Sequence, residues 1–118
     1  MKEDLITRIE QTIDELNILI LPTTKEVGLL SEAIANHEYL KKKTKFVLAI
    51  EMEKLKGSNA DRKTKAEASE AYKEAMLAEK RAEGKAMQYK AEKELLMAKL
   101  DSLRSMLSYN KFIQEKTT

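Results

Sequence analysis

Apolar residues recur at intervals of three and four along most of this chain, the spacing that lines one face of an α-helix. From Glu3 to Ile20 they fall at Leu5 and Ile6, then Ile9, Ile13, Leu16 and Ile20. Leu19-Ile20-Leu21 runs into Pro22, which has no N–H to donate and crowds the preceding turn, so a first helix over about 3–20 ends there. A second helix is predicted over about 25–56, with Thr23 or Thr24 as its cap. Its stripe is Leu30, Ile34, His37, Thr44, Leu48, Met52 and Leu55, widened by Ala33, Leu40 and Val47. Phe46 and Ile50 add a second edge, which predicts more than one neighbour for this helix.

The stretch Gly57-Ser58-Asn59-Ala60-Asp61 interrupts the rhythm. Gly57 reads as a C-cap, and Lys54 and Lys56 before it suit the negative end of a helix dipole. Ser58 or Asp61 can cap the third helix. A link this short joins antiparallel neighbours. The third helix is predicted over about 62–113. Its first half is lined by Ala66, Ala68, Ala71, Ala75, Ala78, Ala82 and Ala86, its second by Leu96, Leu100, Leu103 and Leu107 in the four-three spacing of a coiled-coil seam. Small residues predict close helix approach near the hairpin tip. Gly84 leaves open whether the long helix bends.

About 50 helical residues span roughly 75 Å, against roughly 45 Å for the second helix. The third helix therefore outruns its hairpin partner. A further stripe of Met87, Leu95, Ala98, Met106, Tyr109 and Ile113 calls for cover from sister subunits. The expected fold is all-α: a single helical domain over 1–118, a short N-terminal helix plus a long antiparallel hairpin with coiled-coil-like packing, oligomeric, with Leu96, Leu100, Leu103 and Leu107 as the oligomerisation seam.

Composition strengthens the helical reading and removes several chemistries. Three glycines and one proline in 118 residues leave few breaks. No cysteine is present, so disulfides, thiolate metal sites and thiol nucleophiles are excluded. Aromatic residues make up 5% and tryptophan is absent, which favours thin helix-on-helix seams over a thick core. No apolar run approaches the roughly 20 residues that span a bilayer, and Met1-Lys2-Glu3-Asp4 is unlike a signal peptide. A soluble, cytoplasmic protein without a membrane partner is the expectation.

Catalytic signatures are missing as well: the chain has no glycine-rich phosphate loop, zinc signature or HExxH arrangement. The lone histidine, His37, shares its helical rhythm with Ile34 and Leu48 and reads as a seam residue before a catalyst or ligand. Glu67, Glu70 and Glu74 alternate with Lys63, Lys73, Lys80 and Arg81, the pattern of a solvated face with local ion pairs. No enzyme activity, cofactor or metal is expected.

A net charge of +2 conceals an uneven distribution. Residues 1–40 carry 3 basic and 8 acidic groups, residues 41–65 carry 9 and 3, and residues 66–118 carry 10 and 9. The basic groups of the middle segment are Lys41, Lys42, Lys43, Lys45, Lys54, Lys56, Arg62, Lys63 and Lys65. They can neutralise successive backbone phosphates, which supplies affinity without reading base sequence. The plainer reading is a solubilising lysine surface. Tyr39 and Phe46 are the aromatic residues near this segment, and Phe46 suits a core position as well as a stacking one.

The run His37-Glu38-Tyr39-Leu40-Lys41-Lys42-Lys43, the run Glu51-Met52-Glu53-Lys54-Leu55-Lys56-Gly57, and a long charged helix ending in Leu103-Arg104-Ser105-Met106-Leu107 together give a layout. That layout, over about residues 30–113, resembles the recombination mediator proteins of T4-type bacteriophages. The resemblance implies a closed homo-oligomer that binds single-stranded DNA and helps a recombinase displace single-strand-binding protein. It places DNA contacts in the helix before the turn, at Lys54 and Lys56, with Lys41 to Lys43 as further positions. The expected function is thus a non-enzymatic, single-stranded-DNA-binding accessory protein of phage recombination or replication. The alternative is a helical structural or protein-interaction module, such as a virion component, adaptor or inhibitor, that binds no nucleic acid.

Overall fold

The computed structural model describes residues 2–20 and 28–117. It is all-α: α1 (Lys2–Ile20), α2 (Leu29–Glu53), α3 (Asn59–Glu67) and α4 (Glu70–Thr117), with no strand among the described residues. Two compact units divide the chain. Unit 1 joins residues 1–31 to residues 88–118, and unit 2 is residues 32–87.

In unit 1 the buried side chains are Leu5, Thr12, Leu16 and Leu19 of α1, Leu30 of α2, and Leu100 and Leu103 of α4. On α1 the covered positions, counting half-buried Ile9, advance by four, three, four and three residues. This differs from the stripe read off the sequence. Ile6 and Ile20 lie exposed, and Ile13 is half-buried, because Thr12 occupies the centre of the buried face. Its hydroxyl donates to the Arg8 carbonyl at 2.7 Å, so no hydrogen-bonding capacity is stranded when the residue is enclosed. Gly28 packs against the end of α1. A Cβ there would stand 2.6 Å from the Leu19 carbonyl oxygen and 2.9 Å from the Ile20 carbonyl carbon, so only glycine permits this approach.

Unit 2 is built on small residues. Ala33, Thr44, Ala66 and Ala82 are buried. The Thr44 hydroxyl lies 2.9 Å from the Leu40 carbonyl oxygen in its own helix and 3.3 Å from the Ala75 carbonyl oxygen on α4. A side chain of threonine's size reaches another helix's backbone only where the two helices lie close, which is what the alanine-lined half of α4 allows. Leu40 and Val47 of α2 face Ala71, Ala75 and Ala78 of α4 across a shallow recess, with Lys43 and Glu74 at its margin.

Two boundaries differ from those read in the sequence, and a third falls outside the described residues. The expected start of the second helix at Lys25, like Pro22 and the candidate caps Thr23 and Thr24, lies outside the described residues; α2 is described from Leu29. Its end falls at Glu53, short of Lys56: the Leu55 N–H donates to the Met52 carbonyl at 3.1 Å, and the chain then turns through Gly57 at φ +123°. Of the two candidate caps, Ser58 takes the role, its Oγ accepting from the Asp61 N–H at 3.2 Å, so α3 begins at Asn59 and not at Arg62.

The predicted continuous third helix is two helices. Residues 68 and 69 break it. The Ala68 and Ser69 N–H groups donate back three residues, to Lys65 and Ala66, which tightens the end of α3. The Ser69 hydroxyl donates to the Ala66 carbonyl at 2.6 Å and accepts from the Tyr72 N–H at 3.2 Å. One side chain thereby closes α3 and caps α4. Beyond it, α4 continues through Gly84 without interruption for 48 residues.

Candidate nucleic-acid interface

All nine basic residues of the middle segment belong to unit 2. Lys41, Lys42, Lys43 and Lys45 stand on α2, Lys54 and Lys56 on the connection after it, and Arg62, Lys63 and Lys65 on α3. Eight of them are exposed and Arg62 is half-buried. The break at Ser69 places Arg62, Lys63 and Lys65 on a short helix of their own, separate from the long helix on which the sequence set them.

These cations are not equally available. Lys54 Nζ sits 3.0 Å from Glu51 Oε1. An exposed pair of this kind is worth at most about 1 kcal/mol, so a phosphate can displace the carboxylate. Arg62 is more committed: its guanidinium donates to Asn59 Oδ1, and its Nε is enclosed with no hydrogen-bond partner among the described residues. No carboxylate among the described residues forms an ion pair with Lys41, Lys42, Lys43, Lys45, Lys56, Lys63 or Lys65. These seven ammonium groups are exposed and lie beyond ion-pairing distance of the described carboxylates.

Two side chains gain a different standing from the structure. Tyr39 is 62% and Phe46 67% exposed. Phe46 lies two residues beyond buried Thr44, a rotation of about 200°, and so points away from the contact with α4. The sequence left Phe46 between core and surface; its heptad spacing from Tyr39, with Lys42 and Lys43 in between, was the available signal.

The leucine seam is partly enclosed within the chain. Leu103 is 2% exposed and Leu100 is buried, while Leu96 and Leu107 are half-buried. Leu100 and Leu103 belong to the core of unit 1, while Leu96 and Leu107 keep part of their surface accessible. Elsewhere on α4, Met87 of unit 2 and Leu95, Met106, Tyr109 and Ile113 of unit 1 are exposed.

Other candidate chemistry does not converge. His37 is half-buried on α2, and Glu67 and Glu70 fall on opposite sides of the Ser69 break. The described residues contain no group of three or more metal-ligating side chains, and no helix among them is long and apolar enough to cross a membrane. Comparison of the chain with protein-family models, with curated proteins and with solved structures finds no match.

Proposed function

We propose that the protein is a non-enzymatic binder of single-stranded DNA, acting as an accessory factor in phage recombination or replication. The observation that carries this reading is the set of exposed, unneutralised lysines in unit 2. Lysine presents a compact point charge, suited to backbone phosphate and ill suited to bidentate reading of base edges, so binding is independent of sequence. The Thr44–Ala75 approach supports an antiparallel, coiled-coil-like hairpin of α2 with α3 and the start of α4, which carries the lysines around its turn.

Association of several copies multiplies weak sites by raising effective concentration. The exposed Leu95, Met106 and Tyr109 stripe of unit 1 is the surface for it in this reading. The same stripe is what favours the second reading, a protein-interaction module that binds no nucleic acid. A recombinase or single-strand-binding protein is the expected protein partner in the first reading.

The two are separated by binding to a labelled 30-nucleotide single strand, using the full chain and a variant with Lys54, Lys56, Lys63 and Lys65 changed to glutamine, with particle mass measured in parallel. Binding that weakens in the variant at unchanged mass supports the DNA reading. Absence of binding at low salt removes it and leaves the interaction module.

A further inference from the structure

The outer face of α2 combines charge and aromatic surface in a way that phosphate binding alone does not require. Residues 39–50 contain four lysines and no carboxylate. Tyr39 and Phe46 are seven residues apart, hence on one line along the helix and separated by about 10.5 Å. Lys42 and Lys43 follow Tyr39 by three and four residues and precede Phe46 by four and three, so they lie between the two rings on the same face. Ile50, one turn beyond Phe46, is exposed and extends the line.

We infer that this face is a stacking platform for a single strand of nucleic acid, with Tyr39 and Phe46 each receiving a base and Lys42 and Lys43 neutralising the phosphates between them. The inference rests on the single-stranded-DNA reading above and adds the subsite and the stacking contacts. At about 3.4 Å per stacked base, the gap corresponds to roughly three base steps, so about two nucleotides lie between the two that the rings receive. Every base has a π-face, so the platform is tolerant of sequence. A duplex keeps its base faces stacked internally and gains nothing from the rings. A protein partner of ordinary interface chemistry needs contiguous apolar ground, whereas here a pair of lysines separates the two aromatics, and lysine is depleted at such interfaces.

The test uses the full chain, a 30-nucleotide oligothymidylate and a duplex of equal length. Changing both Tyr39→Ala and Phe46→Ala is expected to weaken single-strand binding by about tenfold for each ring, to leave duplex binding and the salt slope unchanged, and to leave particle mass unchanged. The natural chain has no tryptophan. Phe46→Trp therefore gives a sole indole, whose fluorescence should be quenched by the oligothymidylate and not by the duplex. Equal affinity of the double alanine variant and the parent, or an indole indifferent to the strand, overturns the platform while leaving phosphate binding intact. A fall in particle mass in the alanine variant also overturns it, assigning the face to contacts between copies. If the parent chain binds no strand at all, the function itself fails, and the platform with it.

Discussion

Gly57 and Gly84 put the same residue to opposite uses. At Gly57 the backbone holds φ at +123°, where an L side chain is strained, while at Gly84 the chain is helical and an added Cβ would meet nothing within 4 Å. Gly57→Ala is expected to destabilise by about 1–3 kcal/mol, and Gly84→Ala to stabilise by about 0.5–1 kcal/mol, read as opposite shifts of the urea midpoint. Thr12 and Phe46 show where single residues escape a reading by hydropathy. Thr12 is polar by type yet wholly buried, because it finds a carbonyl within its own helix. Phe46 is apolar by type yet exposed, because Thr44 and not Phe46 faces α4. In both, the decisive fact is a contact one turn or one helix away, which spacing alone does not contain.

At the scale of the element, what was legible depended on whether the signal was periodic or local. On α4, the positions Ala82, Ala86, Leu96, Leu100, Leu103 and Leu107 were singled out by their spacing, and each of these is buried or half-buried. The turn at Gly57 was legible from its glycine. The break at Ala68-Ser69 was not: it contains neither glycine nor proline, and helical rhythm continues on both sides. It arises from one hydroxyl that bonds backward to Ala66 and forward to Tyr72. Ser69→Ala should cost about 1 kcal/mol, the usual loss for an N-cap, and lower the amide protection of the first turn of α4 in hydrogen exchange. Leu103→Ala, by contrast, empties a filled core position of unit 1 and is expected to cost about 2–5 kcal/mol, with earlier thermal unfolding. If that variant kept its stability and instead lost particle mass, Leu103 would belong to a subunit interface.

For the whole molecule, the basic segment was legible as a count, but not as a surface. The sequence shows 9 basic against 3 acidic residues over 41–65. The structure adds that seven of the cations lie exposed without an ion-pair partner among the described residues, that Arg62 is partly enclosed, and that two aromatic rings share the lysine face of α2. Replacing Arg62 should consequently affect folding of unit 2 more than affinity, whereas replacing Lys63 or Lys65 should do the reverse. The most direct test of the account is the dependence of single-strand affinity on salt for the unaltered protein. Neutralising Z phosphates gives a slope of log K against log salt of about −0.7Z, so contacts from four or more lysines predict a slope of about −3 or steeper. A flat dependence, or no measurable affinity at low salt, would contradict phosphate binding as the work of this surface.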